Sequence, residues 1–197
     1  MHETELKSVV PDVAATRGLI EAAGGLLLFE GRMIDLRYGD LAGRLAADDH
    51  VVRLRSYEQP DKVEAFLDWK GPTRYEGGYK VREELSTRVE SPETMARILG
   101  KMGLEVIRDI EREVIQYDLD GAVLRFEIYP RMDVLLEVEG SPEAIERAIL
   151  ITGLPRSGFT DERLPAFIFR FEARTGERAA LSRRELEGSY IYRAEDS

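Results

Sequence analysis

The chain contains no cysteine and only two histidines, His2 and His50, in 197 residues. Disulfides, thiolate chemistry and iron–sulfur clusters are thereby excluded, and tetrahedral zinc loses its usual ligands. A bound metal would have to be oxygen-ligated. No apolar run approaches the roughly 20 residues of a membrane span, and the acidic start around Glu3 and Glu5 lacks the basic-then-apolar layout of a signal peptide. A cytoplasmic protein with no membrane partner is expected. Excess positive charge is missing too: 28 Lys and Arg stand against 38 Asp and Glu, a net charge of −10. That argues against nucleic acid as a partner and requires any basic site to be concentrated in a pocket. Internal repeats and low-complexity tracts are also lacking.

What is present suffices for one folded domain. Hydrophobic residues make up 43% of the chain beside 34% charged residues, an ordinary apolar share with a high charge content. Proline near the start and glycine at the exit mark helices. The first is expected from Pro11 to Ala23. A second has Ser91 as N-cap, Pro92 at its first position, Met95, Ile98, Leu99 and Met102 on one face, and Gly103 as terminator. A third repeats this with Ser141, Pro142 and Glu143, carries Ile145, Ala148 and Ile149, and stops at Gly153. A fourth is expected over Thr160 to Arg174, with Leu164, Phe167, Ile168 and Phe171 on its apolar side. Beyond Arg178 the sequence is polar and rich in arginine and glutamate, which suits a short helix or a frayed end.

Between these helices lie segments that alternate with the period of two of a β-strand. Glu3, Glu5 and Lys7 share one face. Arg53 and Arg55 oppose Val52 and Leu54, and Asp68 and Lys70 oppose Leu67 and Trp69. Lys80, Arg82 and Glu84 oppose Val81 and Leu85. Arg125 and Glu127 oppose Leu124, Phe126 and Ile128, while Glu137 and Glu139 oppose Leu136 and Val138. The segment Ile110 to Leu119 is less regular and puts Arg112 on one face with Val114 and Gln116. Short linkers between the strands from Val51 to Leu85 imply antiparallel pairing.

Any one charged face can simply look at water. Taken together they segregate into basic pairs (Arg53 with Arg55, Lys80 with Arg82) and acidic pairs (Glu3 with Glu5, Glu137 with Glu139). Such pairing suits a polyvalent anion on the cations and metal ions on the carboxylates, a combination met by a phosphate chain with magnesium. Strands so far apart in sequence bring their charged faces together only if the sheet curls with those faces inward. The expected fold class is therefore α+β: a charged tunnel of antiparallel strands coated outside by amphipathic helices. Burying so many charges costs several kcal/mol per unpaired ion, so an empty tunnel should be wet and salt-bridged.

The ordered blocks Glu3-x-Glu5-x-Lys7, Arg53-Leu54-Arg55, Trp69-Lys70-Gly71-Pro72, Lys80-Val81-Arg82-Glu83-Glu84, Ser91-Pro92-Glu93 and Leu136-Glu137-Val138-Glu139-Gly140 resemble those of the CYTH superfamily, the triphosphate tunnel metalloenzymes. The resemblance spans residues 1 to 175 as one tunnel domain and leaves 176 to 197 as a C-terminal tail. It implies an eight-stranded antiparallel β-barrel and a small-molecule partner bearing a triphosphate, with homodimerisation left open. It places Glu3, Glu5, Glu137 and Glu139 as ligands of Mg²⁺ or Mn²⁺. Lys7, Arg53, Arg55, Lys70, Lys80, Arg82 and Arg125 become the substrate-binding set, and Lys7, Arg112 and Glu127 the catalytic set. Two departures stand out. Arg112 sits where the family has lysine, and the basic residue expected two positions later is Val114. In the block Ile34 to Tyr38, Asp35 alone is clearly retained. The implied activity is metal-dependent hydrolysis of inorganic, thiamine or nucleoside triphosphate. The alternatives are a class IV adenylate cyclase making cyclic AMP and pyrophosphate, and a non-catalytic polyphosphate or nucleotide binding module. Asp48, Asp49 and His50 read as a solvated turn.

Overall fold

The computed structural model describes residues 2–77 and 79–189, with the side chains of His2, Glu3 and Lys80 excepted. In chain order the elements are β1 (His2–Val9), α1 (Val13–Ala22), β2 (Leu26–Asp40), α2 (Arg44–Ala47), β3 (Val51–Gln59), β4 (Lys62–Lys70), β5 (Arg74–Glu76), β6 (Tyr79–Val89), α3 (Pro92–Lys101), β7 (Leu104–Leu119), β8 (Ala122–Ile128), β9 (Leu135–Glu139), α4 (Pro142–Thr152), α5 (Leu164–Thr175) and α6 (Arg183–Leu186). The strands run in the order β1-β9-β8-β7-β2-β3-β4-β6-β5, all antiparallel, and a further β1–β6 pairing closes eight of them into a barrel. Strand β5 pairs on the outside of that count, with β6 alone. Among the described residues no helix is long and apolar enough to cross a membrane.

Alternation along the strands separates two environments. The outward residues Leu6, Ile115, Tyr117, Leu124, Phe126, Leu136 and Val138 form one apolar cluster with Ile20 of α1 and with Ala144, Ile145, Ala148 and Ile149 of α4. Phe126, Leu136 and Val138 are fully buried, each contributing about 1.5–3 kcal/mol by leaving water. A second cluster gathers Tyr38, Leu54, Ala65 and Val89 under Leu99 of α3. The serine caps expected from the sequence are in place, with Ser91 Oγ accepting from Thr94 N and Ser141 Oγ from Ala144 N, both at 3.2 Å. Helix α5 starts later than its apolar spacing predicts. Thr160 is occupied in a backbone bridge with Lys7, at 2.8 Å in both directions, and the helix opens only at Leu164 with Pro165 in its first turn.

Strand β2 carries no clean alternation, because Leu26, Leu27 and Leu28 are all exposed at its start. Its place between β3 and β7 comes from long-range pairing, with a register shift between Leu27 and Phe29 and another between Arg37 and Tyr38. Before Glu113, β7 has no pairing with β8. The exposed flank is covered from the C-terminal side: Leu181 O accepts from Glu111 N at 2.7 Å, and Ala180 bridges Arg131. Ala179 and Leu181 join Ile110, Tyr129, Leu135, Phe167, Ile168 and Phe171 in a third buried cluster.

Candidate functional site: the charged tunnel

The inward faces line a cavity of about 1160 Å³ that carries Glu5 and Lys7 of β1, Asp35 of β2, Arg53 and Arg55 of β3, Asp68 and Lys70 of β4, Arg82 and Glu84 of β6, Arg112 of β7, Arg125 and Glu127 of β8, and Glu137 and Glu139 of β9. Strand register explains how these residues meet. Lys7 stands opposite Glu137, and Glu137 opposite Arg125. Arg53 stands opposite Asp68, and Lys70 opposite Glu84. In these four pairs each charge is matched by an opposite charge across strands, the arrangement in which cross-strand pairs stabilise a sheet, whereas Glu5 meets Glu139.

Asp35 is the anionic hub on one wall. Its carboxylate accepts two hydrogen bonds from Arg55, at 2.6 and 2.9 Å, and one from Arg112 Nη2 at 2.9 Å, and lies 3.7 Å from Arg53 Nη1. Burial pushes its pKa up, but the guanidiniums of Arg55, Arg53 and Arg112 more than reverse this and hold it well below the usual carboxylate range. Arg53 also donates to Asp68 at 3.0 and 2.7 Å, and Asp68 accepts a further bond from the Ser86 hydroxyl. Arg112 spans two carboxylates, because its Nε donates to Glu127 at 2.8 Å. Its remaining nitrogen, Nη1, is buried and makes no hydrogen bond. Glu127 accepts in addition from the Tyr129 hydroxyl at 2.8 Å.

On the opposite wall Lys7 Nζ lies 2.5 Å from Glu137 and 3.1 Å from Glu5. Glu137 accepts from Arg125 Nη1 at 2.5 Å as well. Desolvation would raise the Glu137 pKa, yet Lys7 and Arg125 hold it well below its ordinary value. Burial likewise works against the Lys7 ammonium, and Glu137, Glu5 and Glu127 lift its pKa well above the ordinary lysine range. Lys70 is paired with Glu84. Arg82, placed in the phosphate grip by the sequence, donates to two backbone carbonyls, Gly71 O at 2.7 Å and Asp49 O at 2.6 Å. The side chains of Glu3 and Lys80 lie outside what is described. Their backbones pair with Arg82 and Glu5, respectively.

Of the four carboxylates expected to hold a metal, Glu5 and Glu139 face each other in register on β1 and β9. An all-carboxylate set suits a hard divalent cation. Among the described residues no three acidic or histidine side chains converge on one point, since Glu137 and Glu5 turn to Lys7.

Several tunnel residues had no signal in the sequence. Asp49, expected in a solvated turn, belongs to the tunnel rim. It accepts from Thr73 N at 2.7 Å and from Arg163 Nη2 at 3.1 and 3.0 Å, tying the loop before β3 to the residue that precedes α5. His50 packs edge-on against Trp69, with ring centroids 5.3 Å apart. Tyr57 stacks edge-to-face with Phe29 and Phe66 and receives a hydrogen bond from Arg55 at 3.3 Å. Chain-local patterns do not reveal such residues, because their contacts cross loops and strands distant in sequence.

This is a closed antiparallel tunnel barrel with a charged bore, and solved structures share it. A candidate adenylate cyclase from Vibrio parahaemolyticus superposes with a TM-score of 0.73 at 17% identity, over 86% of this chain and 98% of that one. A protein from Pyrococcus horikoshii, PH1819, gives 0.70 at 18% identity over 85% and 98%. A Hippeastrum protein described as a candidate adenylyl cyclase with a dominant triphosphatase activity gives 0.60 at 16% identity over 92% and 98%. The fold is that of these proteins. No family model and no curated protein sequence matches the chain.

Proposed function

We propose that the protein binds a triphosphate-bearing small molecule in the tunnel and hydrolyses it with a divalent cation. The observation that carries this reading is Arg112. It is buried, clamped by Asp35 and Glu127 on two sides, and keeps one buried guanidinium nitrogen without a partner in a cavity lined by Lys7, Arg53, Arg55 and Arg125. A buried unsatisfied donor costs about 1–3 kcal/mol, which a phosphoryl oxygen would recover. Planar guanidiniums fixed in this way hold a phosphate chain in line for displacement with little reorganisation. Lys7 would share its ammonium between Glu137, Glu5 and the bound anion. Glu127, oriented by Arg112 and Tyr129, would position the attacking water. Glu5 and Glu139, with Glu3 on the same strand as Glu5, are the residues that would hold Mg²⁺ or Mn²⁺, which neutralises charge on phosphoryl oxygens.

The second reading is cyclisation of ATP, favoured by the likeness to the Vibrio protein. Both are tested by incubating the purified chain with tripolyphosphate, thiamine triphosphate or ATP in Mg²⁺ or Mn²⁺. Release of orthophosphate supports hydrolysis. Cyclic AMP with pyrophosphate would replace it by cyclisation. Tight binding without turnover would make the protein a binding module, the reading that the apolar Val114 favours.

A further inference from the structure

We infer that the Tyr57 hydroxyl is a phosphoryl ligand of the tunnel, donating its hydrogen to the bound anion beside the guanidinium of Arg55. This rests on the triphosphate reading above and adds to it a neutral donor. Tyr57 follows Arg53 and Arg55 at the strand period of two, so it shares their inward face, and it lines the cavity with them. Its ring is fixed on two sides, edge-to-face with Phe29 at 5.1 Å and with Phe66 at 6.0 Å between centroids. The hydroxyl oxygen accepts from Arg55 Nη1 at 3.3 Å.

The hydrogen on that oxygen sets Tyr57 apart. Tyr79, Tyr117 and Tyr129 donate theirs to the carboxylates of Glu146, Glu21 and Glu127. Among the described residues the Tyr57 hydroxyl has no acceptor. Carboxylates nearby are engaged elsewhere: Glu64, opposite Tyr57 on β4, pairs with Lys62 and Arg88, and Asp35 accepts from Arg55 and Arg112. Arg55 and Arg125 outweigh both burial and the charge of Asp35 and draw the phenol below its usual pKa range. Guanidiniums offer no lone pair to a donor, so the acceptor has to enter the bore, and the two cations favour an anionic one. An oxygen that already accepts from a guanidinium is polarised toward donation.

Strand register ties this donor to Arg112. The fully buried Met33 of β2 stands opposite Tyr57 on β3 and opposite Arg112 on β7. Tyr57 and Arg112 therefore flank one row of the wall, two strand spacings or about 9–10 Å apart at the backbone. Each carries an unused donor on a side chain that lines the bore, the O–H of Tyr57 and Nη1 of Arg112. A phosphate chain laid across this row, over Met33, offers oxygens to both, and an O–H bond to a phosphoryl oxygen is of the short, charge-assisted kind.

The test is calorimetric titration of the full chain with tripolyphosphate, without and with Mg²⁺, beside thermal unfolding of the ligand-free proteins. Tyr57→Phe keeps the ring between Phe29 and Phe66 and removes only the hydroxyl. It should weaken tripolyphosphate binding at least about tenfold, the loss of one hydrogen bond to a charged group, while its ligand-free thermal midpoint stays that of wild type. Tyr117→Phe, which removes a hydroxyl outside the bore, should bind as wild type does. Unchanged affinity in Tyr57→Phe, or an equal loss in Tyr117→Phe, would overturn the assignment and leave triphosphate binding intact. Weaker binding together with a lowered ligand-free midpoint would give the hydroxyl to the fold and overturn it as well. No binding by wild type, with or without Mg²⁺, would overturn the tunnel reading itself and the role of Tyr57 with it.

Discussion

Asp35 and Arg112, 77 residues apart in sequence, meet at 2.9 Å inside the barrel and join β2 to β7 through a single carboxylate oxygen. The same carboxylate binds Arg55 in a bidentate pair. Removing it leaves buried guanidiniums uncompensated, a defect worth about 3–5 kcal/mol. Asp35→Asn should therefore lower the urea midpoint strongly, and tripolyphosphate should raise its thermal midpoint more than it raises that of wild type. An apo protein as stable as wild type would show that Asp35 does not organise the arginines.

The pairs at Lys7 fix the pH response. The depressed pKa values of Glu137 and Asp35 contribute stability that is full above the unfolded carboxylate range, about pH 4–4.5, and is lost as pH falls through the lower folded values. The raised pKa of Lys7 contributes stability that is full below about pH 10.4 and disappears as pH rises through the folded value. Urea unfolding between pH 3 and 11 should thus give a plateau with two falling limbs. Lys7→Met should flatten the alkaline limb and weaken the acid limb. Identical pH profiles for the two proteins would refute the pairing.

Glu5 and Glu139 face each other across β1 and β9. Glu5→Gln and Glu139→Gln should each abolish Mg²⁺- or Mn²⁺-stimulated turnover, while the far-UV circular dichroism stays that of wild type. Undiminished metal-stimulated turnover in both variants would move the cation elsewhere.

Gly31 of β2 sits so close to β3 that an added Cβ would lie 2.4 Å from Glu58 O, a backbone atom with little freedom to retreat. Gly31→Ala should cost about 1–3 kcal/mol, the usual penalty of overpacking, measurable as a lowered denaturation midpoint. A neutral result would mean that the β2–β3 hairpin slides to accept it.

Leu181 is 2% exposed in the cluster with Ile110, Leu135 and Phe167. Leu181→Ala should destabilise by about 2–5 kcal/mol. A change below about 0.5 kcal/mol would assign the segment after Gly176 no share in the core.

How much of this was legible beforehand depended on whether a residue's role lies in its own strand. The faces holding Arg53 with Arg55 and Glu137 with Glu139 follow from a period of two, and the bore follows from the need to gather them. The partners did not. Like charges grouped along the strands pointed to a salt-bridged tunnel but not to its pairs: Lys7 meets Glu137 and Arg53 meets Asp68 across strands, and register between distant segments has no local signature. Strand β2 escaped because its exposed leucines break the alternation. Asp49 escaped because its partners Thr73 and Arg163 come from two other loops.

Strand β1 is bonded on one side to β9 and on the other to β6. Strand β1 is thus a keystone that precedes both of its neighbours in the chain, the second of them ending at Glu139. Until then the growing sheet keeps two open edges, the kind of surface that recruits other chains. Closure over such long sequence separations is slow. Newly made copies of this protein should depend on chaperones, or on low concentration, far more than the finished barrel does.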